Sequence, residues 1–379
     1  MKWVTIYGNA QSKVLPNPQT YAKNVTLRYP IFIPFSGNKI RINLDNYCSN
    51  NDVVIDKVTI SLADSLSDKQ NEVTYLTFSG NMNAKIKAHS NITSDPIDFD
   101  CPSDKYLIIS MYLKYYVDLT SGVDIIGPLS KGYFAYGDQT INEALDINTS
   151  KSTSWVYFLA NVDIYTEDNN YAIICYGDSI TSQDWPDYLM LEIKKNNINN
   201  VSVIRKAVSG TRILRQYDCI TYQSYGLCGK NRFNHEISSV SGAKYLIIQQ
   251  GINDIIHPVG IDINPFRPMS DLPKIEELIE GLKYYLIEGK KYDLEIFVGT
   301  LLPIYNWRTF AIFREELKNS FNDFILNNTN FIDFNTKIGH MEDGIYHYND
   351  NCDSGDHLHP SKYAYNQMAL CAFNKIFKK

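Results

Sequence analysis

Four short segments of this chain hold the residue types that acyl transfer to water requires. They are Gly177-Asp178-Ser179-Ile180, Ser209-Gly210, Gly251-Ile252-Asn253-Asp254 and Asp356-His357-Leu358-His359-Pro360. Ester hydrolysis needs a nucleophile, a base to take its proton, a group that orients the base, and donors for the oxyanion. Ser179, raised on a tight Gly-Asp-Ser turn, suits the nucleophile. His359 suits the base, because a neutral imidazole accepts a proton near pH 7. Asp356, three residues earlier on the same loop, suits the role of fixing the imidazole tautomer and stabilising the imidazolium. Asn253 offers a side-chain amide, Gly210 an unobstructed backbone N–H, and the Ser179 N–H completes an oxyanion hole. Each segment alone is an ordinary turn sequence. Their conjunction, in this order, is what points to chemistry.

The surrounding periodicity says how such segments meet. Beyond the polar stretch Thr166-Glu-Asp-Asn-Asn170, apolar runs alternate with helical patterns. Strands are expected at 172–176, 201–204, 245–249, 295–300 and 331–334. Helices are expected from about Trp185-Pro186, over 272–290 and 310–326, and over 361–377 with Ser361 as N-cap. Alternation of this kind specifies a parallel sheet covered by helices on both faces, and ligands in such sheets sit at the carboxyl ends of the strands. Three of the four segments follow expected strands, and the fourth immediately precedes the last helix. From Thr26 to about Ile164 the pattern is instead short and two-periodic. Ile40, Ile42 and Leu44 share one face, as do Val58, Ile60 and Leu62, and 106–113 and 155–162 read as more deeply buried strands. Turns are expected at 36–38 and 80–83. This half reads as an antiparallel sandwich or jelly roll. The expected division is therefore an all-β domain over 1–168 and an α/β three-layer, flavodoxin-like domain over 169–379.

The four blocks resemble the SGNH (GDSL-like) hydrolase superfamily, whose four eponymous residue types stand here at Ser179, Gly210, Asn253 and His359. The likeness covers about 171–379 and implies an α/β/α sandwich that hydrolyses carboxylic esters without a metal or other cofactor. Acetylated sugars, lysophospholipids, short acyl thioesters and simple esters are its substrates. The N-terminal half is similar in layout to the β-sandwich modules that precede this domain in some carbohydrate-esterase-like members. One departure concerns Arg205-Lys206-Ala207, where many members carry Asn or a similar polar residue before the block-two glycine. The G-x-S-x-G elbow of α/β-hydrolases is not met, since Thr181 stands at its second glycine.

Composition narrows the alternatives. With 379 residues, 44% hydrophobic and 21% charged, the chain is globular rather than disordered. A net charge of −6 without long basic runs argues against nucleic acid and against an anionic membrane surface. No apolar stretch reaches the roughly 18–20 residues of a membrane span. Seven scattered cysteines without a C-x-x-C pair fit free thiols in a reducing compartment, with Cys219 and Cys228 the one pair placed to close a loop. The N-terminal residues carry no export signal, so a cytoplasmic location is expected. A metal-dependent hydrolase is the rival reading of the cluster His340, His347, His357 and His359 with its neighbouring acids, but Asp356 and His359 are already taken by the triad.

Leading expectations are an O-acetylesterase on acetylated carbohydrates, then a lysophospholipase or short-chain lipase with the same machinery, and, in another class, a non-catalytic carbohydrate-binding protein. Trp185, Tyr305 and Trp307 are candidate substrate contacts, because rings suit stacking on sugars, and Arg212 is a fourth, because it closely follows Gly210. Asp254 is expected to organise the turn around Asn253, Asp178 to cap the helix after Ser179, and His357 to be a satisfied loop histidine.

Overall fold

The computed structural model describes residues 1–13 and 21–378, together forming two layers of antiparallel sheet joined to an α/β half. Strands of the first half are β1 (Lys2–Gly8), β2 (Val25–Phe32), β3 (Gly37–Asp45), β4 (Lys57–Ala63), β5 (Tyr106–Leu113), β6 (Gly132–Tyr136) and β7 (Leu159–Thr166). One sheet runs β1–β7–β3, with Asn91–Thr93 and Ile97–Cys101 pairing along β3. The other runs Lys151–Thr153, β6, β2, β5, β4 and Thr74–Tyr75. The alternation seen in the sequence maps onto the pleat: Ile40, Ile42 and Leu44 are fully buried in the face between the sheets.

Residues 155–162 do not form one strand. Trp155–Tyr157 pairs with Ser121–Asp124, whereas β7 pairs with β3 and β1. The switch falls at Phe158, which is buried and held at φ +63°. Its N–H donates to Ser121 O and its carbonyl accepts from Asp45 N, so one left-handed residue hands the chain from a small three-stranded sheet to the β1–β7–β3 sheet. The expected turn at 36–38 lies slightly earlier, because β3 already begins at Gly37.

β7 ends at Thr166, and the parallel sheet begins at Tyr171. Its strands are β8 (Tyr171–Gly177), β9 (Val201–Ala207), β10 (Ala243–Gln249), β11 (Glu295–Gly299) and β12 (Phe331–Ile332), in the order β9–β8–β10–β11–β12. Strand order reverses around β8, and the crevice at such a switch point is where open α/β sheets bind ligands. Helices α1 (Ser179–Ser182), α2 (Trp185–Lys195), α3 (Gly229–Ser238), α4 (Ile252–Ile256), α5 (Ile275–Lys290), α6 (Ile312–Asn328), α7 (Phe334–Ile338) and α8 (Lys362–Phe377) connect and cover it. Ser361 caps α8, its Oγ accepting from Ala364 N at 3.2 Å. The expected strand at 331–334 is cut to two residues because the Asp333 side chain accepts from Thr336 N and starts α7. Helix α3 and the hairpin Gly339–Glu342/Ile345–Tyr348 were not foreseen.

The apolar core is continuous from one half to the other, from Val4 and Ile6 through Ile204 to Ile376. Polar links cross the same junction. Lys206 on β9 is buried, and its Nζ donates to Asn9 O (2.8 Å), Asn161 Oδ1 (2.9 Å) and Ala160 O (3.3 Å). Burial pulls its pKa down to about 8 against the nearby carboxylates of Glu236, Asp45 and Asp163. Arg205 ion-pairs with Asp187 of α2 at 2.6 Å, and Asp187 in turn accepts from Leu129 N and Ser130 Oγ of the β half. The two residues that depart from the family pattern before Gly210 therefore fasten the halves together.

Candidate active site

Ser179 sits at the first turn after β8. The turn must be tight, and Gly177 shows why: a Cβ there would lie 2.3 Å from Gln249 O on the adjacent strand. Asp178 is the N-cap of α1, its Oδ1 accepting from Ile180 N at 3.1 Å. Burial raises the Asp178 carboxyl to about 7, with Asp254 adding to the rise and the Ile180 N–H and Arg232 opposing it. Its other oxygen is buried and has no partner among the described residues. A carboxyl whose folded pKa lies above its unfolded one stabilises the fold fully below about pH 4, and that contribution disappears as pH rises through about 7. Replacing it by the equally good cap Asn removes the dependence. The melting temperature of Asp178→Asn relative to wild type is thus expected to climb between pH 5 and pH 8, by roughly 2–4 kcal/mol of stability. A difference that stays flat across that range would refute the assignment.

The second and third segments close around this turn. Ser182 Oγ lies 3.0 Å from Ser209 Oγ and donates to Ser179 O at 3.2 Å, tying block two to block one. Gly210 has φ +79°, and a Cβ on it would stand 2.2 Å from the Tyr225 ring. Only glycine accepts both the left-handed backbone and the ring laid on its Cα. Among the described residues, neither the Ser179 N–H nor the Gly210 N–H has an acceptor. Asn253 lies in the first turn of α4, and its amide donates one hydrogen to Thr211 O at 3.1 Å; among the described residues the second N–H has no acceptor. Asp254 does not organise the turn around Asn253 as expected. It reaches back to accept from Ile213 N (2.7 Å) and Leu214 N (3.1 Å), which fixes the loop that carries Gly210. Burial raises this carboxyl to about 6 in spite of those two bonds.

The fourth segment completes the arrangement. His359 Nε2 lies 2.9 Å from Ser179 Oγ, and His359 Nδ1 lies 2.6 Å from Asp356 Oδ2. Asp356 Oδ1 accepts from the N–H groups of Leu358 (2.9 Å) and His359 (2.8 Å). Burial works against ionisation of Asp356, but the hydrogen bonds from the His359 ring and from these two amides outweigh it and hold the carboxyl below its usual range. An ionised Asp356 keeps the proton on Nδ1 and leaves the Nε2 lone pair facing the serine hydroxyl. His357 pairs with Asp353 at 2.6 Å. Cys219 and Cys228, like the other five cysteines, are free thiols.

The expected substrate contacts fare less well. Trp185 is completely buried, tilted against Phe334 at 5.6 Å between centroids with Nε1 donating to Thr181 Oγ1, so it braces the nucleophile turn from behind. Arg212 is also buried, ion-paired with Asp271 at 2.9 Å and lying 4.2 Å over the Tyr217 ring, which leaves it no free face for substrate. Tyr305 and Trp307 are half-buried on the loop after β11, against His347 and Arg308 respectively. The residue that reasoning from the sequence underrated is Tyr225. It lies on Gly210, stacks on His257 at 5.3 Å and on Tyr222 at 5.3 Å; the sequence marks it only as one of several rings, with Tyr217 and Tyr222, on the loops above the site.

Residues 152–372 match the family described as GDSL-like Lipase/Acylhydrolase. No curated protein matches the chain. Among solved structures, a GDSL-like lipase from Bacteroides thetaiotaomicron is similar at 16% identity and a TM-score of 0.40, covering 56% of this chain and 89% of its own. An acetylxylan esterase from Geobacillus stearothermophilus is similar at 14% identity and a TM-score of 0.41, covering 56% of this chain and 98% of its own. The family match takes in all four blocks, from the turn at Ser179 to the loop at His359, and with it the chain belongs to the GDSL-like lipase/acylhydrolases and is a carboxylic ester hydrolase.

Proposed function

We propose that this enzyme is a serine O-acetylesterase acting on acetylated carbohydrates. The observation that carries the reading is the line Ser179 Oγ–His359 Nε2, 2.9 Å, and His359 Nδ1–Asp356 Oδ2, 2.6 Å, beside two N–H groups without acceptors among the described residues. The Ser179 hydroxyl donates its proton to Nε2 as Oγ attacks the acyl carbonyl. The imidazolium that forms is stabilised by Asp356, and the carbonyl oxygen, now an oxyanion, is met by the N–H groups of Ser179 and Gly210 and the Asn253 amide. His359 then protonates the departing alcohol. Water, deprotonated by the same imidazole, attacks the acyl-enzyme, and its collapse returns the proton to Ser179 and releases the acid.

Support for a small acyl group and a polar alcohol comes from the rim. The Tyr225 ring covers Gly210, and a 610 Å³ cavity beside the loop that carries it is lined by Arg215, Asp218 and Asn231 among others. A second reading, a short-chain lipase or lysophospholipase, is favoured by one feature. Ile261, Ile263 and Phe266 are exposed on the segment that follows Asn253 and α4, where an apolar surface would greet a lipid.

Two measurements decide. A fluorophosphonate probe is expected to add one adduct, mapped to Ser179. An unlabelled serine would remove the catalytic reading in favour of a binding protein. Across p-nitrophenyl esters from C2 to C12, turnover is expected to peak at C2 and fall sharply beyond C4. A maximum at C8 or longer transfers the protein to the lipase reading.

A further inference from the structure

Between the halves lies a cavity of about 520 Å³. Lys13, Tyr47, Asn50 and His89 line it from the β half, and Asp218 and Gln223 from the loop 216–227 of the α/β half. Its size falls within the range of small-molecule sites, roughly 300–1,000 Å³. The same loop reaches the catalytic crevice. Gly226 lines the cavity, and Tyr225, its neighbour in sequence, is the ring laid on Gly210. The loop is pinned from the β half by Ser12, whose Oγ donates to Ser224 O at 2.6 Å. The loop that lines the cavity therefore also carries the ring that covers Gly210.

The lining names the chemistry. Asn50 and Gln223 each carry a donor and an acceptor, Lys13 adds donors and Asp218 acceptors. Neither Lys13 nor Asp218 forms an ion pair among the described residues. The Tyr47 ring is held by stacking on His235, 3.9 Å between centroids, and His235 is fixed by Asp45 at 2.7 Å. The His89 Nδ1 bonds Tyr47 O at 3.0 Å, which leaves Nε2 for a ligand. Hydroxyl groups both donate and accept, and pyranose rings stack on aromatic faces, so this lining suits a polyhydroxylated ring compound. Among the described residues the lining carries one aliphatic side chain, Leu227.

We propose that this cavity is a saccharide subsite that holds the alcohol portion of the ester, with Tyr47, Asp218 and Gln223 as its principal contacts. The proposal rests on the esterase reading above and deepens it, since it places sugar recognition at the junction and gives the β half a share in the substrate. Binding needs no ester, so it is measured by titration calorimetry on full-length Ser179→Ala protein with xylotetraose, cellotetraose, mannotetraose and chitotetraose. At least one is expected to bind in about the micromolar-to-millimolar range. Tyr47→Ala and Asp218→Asn are each expected to weaken that binding about tenfold or more. Asp218 is exposed and its replacement isosteric, so this second variant keeps the fold, which circular dichroism checks. No binding of any of the four sugars at 10 mM, or affinity unchanged in both variants, overturns the subsite. Failure of the esterase reading shows separately, as wild-type protein that no fluorophosphonate labels.

Discussion

Ser179→Ala is expected to lower kcat for p-nitrophenyl acetate by about 10⁴-fold or more while KM stays close to its wild-type value. The geometry gives the reason. The hydroxyl is the one group within hydrogen-bond reach of His359 Nε2 that can form a covalent acyl-enzyme, and alanine removes it without disturbing the turn. The Ser182 bond to the residue 179 carbonyl and the Asp178 cap do not involve the side chain. Residual turnover would come from the oxyanion donors alone. Because the residues act as a unit, His359→Ala added to Ser179→Ala is expected to cost nothing more. Turnover within tenfold of wild type in the single variant would take the serine out of the mechanism, and a second large loss in the double variant would show that the pair is not one device.

The second large effect is on stability. Lys206→Met keeps the length of the side chain but strips three acceptors of their donor: Asn9 O, Asn161 Oδ1 and Ala160 O. Ala160 O retains the Asn9 N–H at 2.9 Å, so two buried acceptors are left dry. Each such group costs about 1–3 kcal/mol. Relief from burying the ammonium offsets part of this, because its pKa is already pulled down to about 8. A net loss of about 2–4 kcal/mol is expected, seen as a melting temperature lower by about 2–5 °C. Since Lys206 is followed directly by Ala207, Val208, Ser209 and Gly210, a looser junction also loosens the oxyanion loop, and kcat/KM should fall with stability. An unchanged melting temperature would mean that the halves are held together by the apolar core without this contact.

Reading the sequence located the machinery because its signals are local. A parallel strand buried on both faces must be a continuous apolar run, and the chemistry must follow its carboxyl end. Ser179, Gly210 and Asn253 are therefore legible in the sequence as residues on three loops of one edge. Asp356 and His359 are three residues apart on one loop, so their pairing too is a short-range matter. Strand limits were less legible where side chains interfere with the backbone: Asp333 caps a helix inside an expected strand, and Phe158 breaks another by adopting a left-handed turn.

By itself, then, the sequence determined the fold class and nominated the five candidate residues of the site, since periodicity and turn chemistry act over a few neighbours. Tertiary structure alone decided what lies against the site. Trp185 turned inward and Arg212 was spent on Asp271, while Tyr225 came to rest on Gly210. Arg205 and Lys206 became the fasteners between halves. Each of those outcomes depends on which distant surface a side chain meets, and residues such as Lys206 and Asn9, 197 positions apart, have no pattern between them from which that meeting could be read.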